Sequence, residues 1–206
     1  MRALIQRLRQ AGINNDSVLT AMQAVRRDAF VTEELKPYAY EDEALPIECG
    51  QTISQPFVIG RMTELIIRDI PLNKVLEVGT GSGYQAAILS QLFKDVYTIE
   101  RIKTLLELAE ERFQKLEYTN IHTLYGDGYE GWQEHAPYNA IIVTAAAPEI
   151  PQTLMDQMAD GGRMIIPVGI PNRGQRLQLV KRKGEAYDIE TLDPVVFVPL
   201  VPGQQD

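Results

Sequence analysis

The chain has 206 residues, 45% of them hydrophobic, and a formal net charge of -8 at pH 7. This length suits one domain. The acidic balance argues against a nucleic-acid partner, because such proteins cluster Lys and Arg on one face. No apolar run approaches the roughly 18 residues of a membrane span, and a single cysteine, Cys49, fits a reducing compartment, so we expect a cytoplasmic protein with no membrane partner.

Helical patterns come first along the chain, over about residues 2–11 and 17–27. Arg and Gln interrupt the apolar residues of the first pattern, which predicts a docking helix, since a signal peptide needs an unbroken apolar stretch. Asn15 and Asp16 are candidate caps of the second helix. A loop-rich stretch is expected over residues 30–55.

The segment GQTISQP, residues 50–56, precedes a third helical pattern. Pro56 suits a first helical position, and Val58, Met62 and Leu65 recur at helical spacing. A Ser just ahead of a helix is usually a capping or turn residue, so on local grounds Ser54 is predicted to serve the helix entrance. The alternative, a reacting group in this loop, stays open at this point.

From residue 74 onward, short apolar runs alternate with helical patterns, which predicts an α/β fold with a doubly wound, mostly parallel sheet and helices on both faces. The tail differs, because RLQLVKR (176–182) and VVFVPL (195–200) are strand-like without a long helix between them. We expect an antiparallel edge there, with the basic run KRK at its solvated end. The parallel strands are predicted at KVLEV (74–78), DVYTI (95–99), NIHTLY (120–125), NAIIV (139–143) and RMIIPV (163–168).

A glycine loop follows the first strand of this sheet, in VLEVGTGSGY, residues 75–84. Ligands of open α/β sheets bind at the carboxyl ends of strands, where the strand order reverses. A phosphate-binding P-loop would need Lys and then Ser or Thr after the last glycine, and this loop has neither. A dinucleotide fingerprint fits Gly79 and Gly81, but the third glycine, Gly83, comes early. A tight strand-to-helix turn is the structural alternative.

Acidic residues follow the glycine loop at successive strand ends. Glu100 ends the second strand, where a carboxylate can accept both ribose hydroxyls of a nucleoside. Asp127 could accept from an adenine amino group or be an ordinary turn residue, and Glu77 could hold an amino group or cap backbone donors. Together they describe a site for a cationic nucleoside without phosphates, which favours S-adenosylmethionine over NAD.

The motifs LEVGTGSGY, Glu100, GDG and GGRMIIPVG resemble those of class I S-adenosylmethionine-dependent methyltransferases. GQTISQP, AAAPEIP and FVPL narrow the resemblance to the protein-L-isoaspartate O-methyltransferase family. It implies one Rossmann-like domain: N-terminal helices and the active-site loop (1–55), a cofactor-binding core (56–170) and C-terminal strands (171–206).

The resemblance also implies a function. Members transfer a methyl group from S-adenosylmethionine to the free α-carboxylate of L-isoaspartyl residues, and D-aspartyl residues are expected as well, leaving S-adenosylhomocysteine. Damaged proteins and peptides are the expected partners, no metal is needed, and a monomer is expected. The resemblance makes Ser54 the active-site residue and gives Ile53, Ser54 and Val198 to the substrate. It gives the cofactor Gln51, Thr52, Ile53, Glu77, Gly79, Gly81, Gly83, Glu100, Arg101, Asp127 and Gly128.

The implied reaction is compatible with the residues present. A carboxylate acceptor is already ionised at neutral pH, so no strong general base is required. The two histidines, His122 and His135, are predicted to be structural or surface residues. The remaining work is alignment and exclusion of water, with Ser54 as a positioner of the acceptor. Two positions depart from the family pattern: Asn139, where Asp is common, and Phe57, where His or Tyr is usual.

Other functions remain as alternatives. The chain could be another class I O-methyltransferase acting on a small carboxylate, or a non-catalytic S-adenosylmethionine-binding protein. A nucleic-acid methyltransferase would often show Pro-Pro-aromatic where this chain has TAAAP, and a metal-dependent enzyme would need acids there. A serine hydrolase would need G-x-S-x-G and a usable histidine.

Overall fold

The protein is described by a computed structural model over residues 1–170 and 173–206. Short 3₁₀ helices at Arg27–Phe30, Glu33–Tyr38, Glu48–Gly50 and Gln133–His135 connect several elements. The α-helices are α1 (Arg2–Gln10), α2 (Asp16–Ala24), α3 (Pro56–Ile66), α4 (Tyr84–Ser90), α5 (Lys103–Lys115) and α6 (Gln152–Asp156). The strands are β1 (Leu45–Pro46), β2 (Thr52–Ile53), β3 (Lys74–Val78), β4 (Asp95–Glu100), β5 (Ile121–Tyr125), β6 (Tyr138–Val143), β7 (Met158–Gly169), β8 (Gln175–Lys183) and β9 (Ala186–Val195).

The main sheet has seven strands in the order β5-β4-β3-β6-β7-β8-β9. The pairs from β5 to β7 are parallel, and β8 and β9 add antiparallel strands at the edge. The predicted α/β class, doubly wound sheet and antiparallel edge are therefore confirmed. The strand order reverses between β3 and β6, so their carboxyl ends form the switch point at which a ligand is expected.

An apolar core lies on each face of the sheet, and helices cover one face more fully than the other. One core joins its face to residues from α1 to α5, including Leu8, Met22 and Phe113. The other core is covered by α6 and by the segment between β5 and β6, with Leu154 and Met158 buried in it. The predicted helices on both faces are present, but the chain crosses from β5 to β6 without an α-helix. No helix in the described ranges has both the length and the apolarity to cross a bilayer.

The N-terminal helices agree with the sequence except at their ends. The Asn15 side chain accepts from the Ser17 and Val18 backbone N–H groups at 3.0 and 3.2 Å, which confirms it as the cap, whereas Asp16 is the first helical residue. The second helix was predicted to reach residue 27 but ends at Ala24. The chain there turns so that residue 27 points into the interior.

The prediction of a strand over VVFVPL was wrong beyond its first residue. The edge strand β9 ends at Val195, and the chain then leaves the sheet and crosses the carboxyl end of β6. There the Ala146 N–H donates to the Val198 carbonyl at 2.8 Å, and the Leu200 N–H donates to the Ala146 carbonyl at 2.7 Å. The Gln175 side chain meanwhile bonds both backbone groups of Phe197. These apolar residues therefore face the strand ends and not a neighbouring strand.

Both histidines stack on one tyrosine in the less covered core. The Tyr97 ring lies between the imidazoles of His122 and His135, with centroid distances of 4.8 and 4.5 Å. Trp132 approaches Tyr97 edge-on at 5.5 Å. This set of four rings, the Tyr97 stack, gives both histidines structural contacts, as predicted.

Candidate active site

Two cavities lie at the carboxyl ends of the parallel strands, next to the switch point. The inner cavity, of about 280 Å³, is bounded by the glycine loop after β3, the end of β4 and residues 50–54. The outer cavity, of about 750 Å³, lies between residues 42–44, the start of α3 and residues 194–198. The residues that line both form a shared wall: Thr52, Ser54, Thr144, Phe197 and Val198. Ligands in the two cavities would meet at this shared wall.

The glycines turn the chain from β3 into α4 along the inner cavity. Gly79 and Gly81 line it with φ angles of 99° and 52°, which residues with side chains rarely adopt. At Gly79, an added Cβ would come within 2.4 Å of the Thr144 hydroxyl. Gly83 does not line the cavity, and a Cβ there would lie 2.7 Å from the Phe113 ring. Gly83 serves the packing of α4 on α5, and its contact with a cofactor stays a prediction.

Glu100 ends β4 in the wall of the inner cavity. Its Oε2 accepts from the Gly81 N–H at 2.9 Å and its Oε1 from the Ile102 N–H at 2.9 Å. The two bonds fix the carboxylate between the glycine loop and the start of α5. Each oxygen keeps a further lone pair for a ligand, so the arrangement fits the predicted contact with two ribose hydroxyls.

Glu77 is a fully buried acid in the same wall. Its Oε2 accepts from the Thr98 hydroxyl, which lies 2.7 Å from the Thr80 hydroxyl, whereas its Oε1 has no hydrogen-bond partner among the described residues. Burial raises the pKa of Glu77 to about 8, the Glu100 carboxylate adds to the rise, and the Thr98 hydrogen bond opposes it. A buried oxygen without a partner is expected to meet one from a ligand, and a cationic amino group is the partner that suits a carboxyl.

The helix entrance after Ser54 is capped by another residue. Asp42 Oδ1 accepts from the Phe57 N–H at 2.8 Å, and Gln55 occupies the cap position of α3. Pro56 is the first helical residue, as predicted. Of the two local roles predicted for Ser54, capping or turn, the capping role was therefore wrong, and its hydroxyl is free of that role.

The two departures from the family pattern lie outside both cavities. Phe57 packs half-buried against the larger core. The Asn139 Oδ1 accepts from the Lys74 N–H at 3.1 Å. This bond joins β6 and β3 near their amino ends, whereas the cavities lie at the carboxyl ends of the strands. Asn139 therefore has a structural contact remote from the switch point.

Residues of the C-terminal segment form hydrogen bonds with Asp127 and Arg101, two residues predicted to bind the cofactor. Asp127 does not line the inner cavity, and its two oxygens accept from the Tyr129 and Gly203 N–H groups at 2.9 and 2.6 Å. Arg101 lines the cavity and donates to the Gly203 carbonyl at 3.0 Å and to Gln205 at 2.9 Å. Asp127 as an adenine contact stays a prediction, with one lone pair per oxygen still available.

The remaining predicted residues lie together. The inner cavity is lined by Gln51, Thr52, Ile53, Gly128 and Val198. Sequence reasoning missed several lining residues, of which Thr144, directly after β6, could have been found from its place at the switch point. Thr80, Ser82 and Tyr84 lie within the glycine-loop motif and Phe197 lies within FVPL, so these motifs could have indicated them, whereas Gln85 follows the loop and carries no such signal.

Metal ligands do not gather within the described ranges, where no group of three or more His, Cys, Asp or Glu side chains could hold an ion. The donors around the inner cavity are instead two carboxyls, hydroxyls and glycine backbone. Such a set fits a cationic nucleoside, and the orphaned Oε1 of Glu77 is the observation that favours it.

Comparison with known proteins gives one consistent family. The sequence pattern of protein-L-isoaspartate(D-aspartate) O-methyltransferases (PCMT) matches residues 1–205. A protein-L-isoaspartate O-methyltransferase of Pseudomonas aeruginosa (strain LESB58) is 52% identical over 200 residues, which cover 97% of this chain and 94% of the relative. One from Serratia proteamaculans (strain 568) is 49% identical over 204 residues, covering 99% and 97%.

Solved structures agree with the sequence comparison. A protein-L-isoaspartate O-methyltransferase superposes with a TM-score of 0.90 at 29% identity, covering 99% of this chain and 67% of the other. A Plasmodium falciparum structure assigned to the same enzymes superposes with a TM-score of 0.84 at 27% identity, covering 97% of both chains. The latter was solved in complex with S-adenosyl-L-homocysteine.

Proposed function

This chain belongs to the protein-L-isoaspartate(D-aspartate) O-methyltransferase family, and from that premise we propose how its two cavities divide the reaction. The enzyme uses S-adenosylmethionine to methylate the free α-carboxylate of L-isoaspartyl residues, which initiates their repair. We assign the cofactor to the inner cavity and the isoaspartyl peptide to the outer one. The observation that carries this assignment is the place of Ser54 in the shared wall.

The inner cavity supplies the contacts that a cationic nucleoside needs. Glu100, held by two backbone N–H groups, accepts from the ribose, and Glu77 faces the amino group of the methionine part. Gly79 and Gly81 bring the backbone close. When bound, the cofactor supplies a methyl group activated by a sulfonium.

The outer cavity receives the acceptor beside Ser54. The Ser54 hydroxyl orients the acceptor carboxylate by a hydrogen bond and forms no covalent bond to it. Phe197 and Val198 close the wall around this point and exclude water, which strengthens the attraction between an anionic acceptor and a cationic donor. Alignment of this kind is worth several orders of magnitude in rate.

The cellular setting is part of the proposal. The enzyme acts in the cytoplasm, as a monomer, on damaged proteins, and neither nucleic acid nor a membrane takes part. The net charge of -8 and the single cysteine support this setting.

The first test compares two peptides that differ only in one linkage. An isoaspartyl residue carries the main chain through its β-carbonyl, which lengthens the backbone by one methylene and displaces the free carboxylate. Because about 1 Å of misplacement can reduce a rate on the order of a hundredfold, labelled methyl groups should reach the isoaspartyl peptide and scarcely its aspartyl twin. A D-aspartyl peptide is the second substrate to try. Equal labelling of the twins, or labelling of small carboxylates alone, would refute the assignment.

The second test removes the proposed positioner. Ser54→Ala should lower kcat by at least tenfold and leave the Kd of S-adenosylmethionine within threefold, because Ser54 contacts the acceptor. Thr52→Ala is the matched control from the same wall, and its kcat should fall less. An unchanged kcat in Ser54→Ala would remove Ser54 from the reaction.

A further inference from the structure

A buried arginine joins the two sides of the candidate site. Arg27, in the 3₁₀ helix after α2, is 0% exposed. Its Nη1 donates to the carbonyls of Ala39 and Glu41 at 3.1 and 3.3 Å, and its Nη2 donates to those of Glu43 and Ser54 at 3.1 and 2.9 Å. All four acceptors are backbone oxygens, so one side chain holds two separate segments of chain.

The charge of Arg27 has an unusual setting. No carboxylate in the described part of the chain lies within ion-pair distance of it. Burial lowers the pKa of Arg27, and electrostatic attraction to Tyr84 and Asp42 opposes that fall. A buried charge without a counter-ion is unfavourable unless hydrogen bonds replace its hydration. The four carbonyls serve that purpose for Nη1 and Nη2, whereas the buried Nε–H has no hydrogen-bond partner among the described residues. A packing role alone would be filled as well by an apolar side chain of similar size.

The contacts of Arg27 converge on the reacting loop. The carbonyls of Glu41 and Glu43 flank Asp42, whose side chain accepts from the N–H of Phe57, three residues after Ser54. The fourth carbonyl belongs to Ser54 itself. The guanidinium thereby holds the Ser54 carbonyl directly, and it also holds the backbone around Asp42, whose side chain bonds the Phe57 N–H. The direction of the Ser54 hydroxyl depends on the backbone angles that these bonds fix.

The same guanidinium also contacts the cofactor side. Its Cζ lies 5.6 Å from the centroid of the Tyr84 ring, within the range of a cation–π contact. Tyr84 begins α4 and lines the inner cavity, whereas Glu43 lines the outer one. Arg27 therefore touches a wall of each cavity and the residue between them, although it lines neither.

From this geometry we infer that Arg27 is a positioning residue for methyl transfer, which sets the Ser54 hydroxyl relative to the cofactor by holding the Ser54 backbone. The inference rests on the proposed role of Ser54. Arg27 touches no reacting atom, so its removal should change kcat and leave the binding of the cofactor nearly intact.

The decisive experiment is a double-mutant cycle on the full chain. Arg27→Lys keeps a cation, but one ammonium cannot span carbonyls on both segments. We expect kcat for an isoaspartyl peptide to fall at least tenfold, with the Kd of S-adenosylmethionine within threefold. In the Ser54→Ala background, the same change should lower kcat less than threefold, because its effect passes through the missing hydroxyl.

Controls separate positioning from loss of fold. Arg163→Met removes a half-buried arginine that donates to the Leu65 carbonyl at 3.4 Å, away from both cavities, and should keep the wild-type kcat. Arg27→Met tests the donors themselves, and if it does not fold, the lysine variant decides. Equal losses of kcat in both backgrounds, or a wild-type kcat in folded Arg27→Lys, would overturn the inference. An unchanged kcat in Ser54→Ala alone would instead refute the proposed role of Ser54.

Discussion

Binding of S-adenosylmethionine should release a proton from Glu77, and this release should make the affinity depend on pH. The carboxyl is fully buried, lacks a partner on Oε1 and has a pKa raised to about 8. About nine-tenths of it is therefore protonated at pH 7 in the free enzyme. A cationic amino group beside it favours the carboxylate, so the pKa falls on binding and the proton leaves.

The size of the effect follows from the two pKa values. The amino group of the cofactor has a reference pKa near 8 and takes up about 0.1 proton at pH 7, so the net release is about 0.8 proton per cofactor. Over the unit from pH 6 to pH 7, the Kd should decrease roughly eightfold. Above about pH 8 the affinity should fall again, because the amino group then loses its charge.

Calorimetry in two buffers with different ionisation enthalpies measures the proton release directly at pH 7. Glu77→Gln is the matched control, since it keeps the shape and cannot titrate. The variant should bind more weakly and without proton release below pH 8. A wild-type enzyme that releases no proton, or a Glu77→Gln variant that releases as many, would refute the reasoning.

The same carboxyl affects stability without any cofactor. Its folded pKa, about 8, is raised above an unfolded value near 4.5. Between these values the unfolded state gives up the proton while the folded state keeps it. The free energy of unfolding should therefore fall as the pH rises from about 4.5 to about 8. Denaturant titrations should find this fall reduced in Glu77→Gln, and an identical pH dependence would contradict the buried neutral acid.

Three further predictions follow from single contacts. Glu100→Ala should raise the Kd of S-adenosylmethionine at least tenfold, because two charge-assisted contacts of up to about 1.5 to 3 kcal/mol each are lost. Unchanged affinity in calorimetry would remove Glu100 from the site. Asn139→Asp should leave that Kd within a few-fold, since Asn139 bonds the Lys74 N–H far from the cavity, and a large gain would show a lost family contact. Gly83→Ala should destabilise the fold by about 2 kcal/mol in denaturant titrations, since its φ is 88° and a Cβ would meet the Phe113 ring at 2.7 Å. Gly184→Ala, with a φ of 62° and open space, isolates the backbone strain, and an equal loss there would exclude the clash.

The fold was predictable where periodicity and buried strands coincide. The runs ending at Val78, Glu100 and Val143 are apolar and alternate with helical patterns or loops, so their parallel direction could be predicted from the sequence, whereas their order in the sheet was not predicted. Glu100 could be placed in the site for the same reason, because the carboxyl ends of parallel strands meet. The Asn15 cap has an equally local cause.

The errors came from contacts that have no local signature. β9 is mostly exposed, so its residues lack the apolar alternation that marks a strand. Phe197 and Val198 are apolar because they line cavities. In the sequence, such a run of apolar residues looks like a buried strand. Arg27 was missed because its carbonyl partners lie 12 to 27 residues away, and a backbone acceptor can belong to any residue type. Asp42 replaced Ser54 as the cap for the same reason.

The Tyr97 stack offers a spectroscopic handle on one half of the molecule. The chain has two histidines and one tryptophan, and all three pack around the same phenol ring. The imidazole proton resonances should therefore be displaced by the ring current of Tyr97, and the indole emission should report the same spot. The two imidazoles and the indole lie outside the linings of the inner and the outer cavity. Loosening of this core can thus be followed by NMR and fluorescence while the cofactor site is titrated, because these signals arise from residues outside that site.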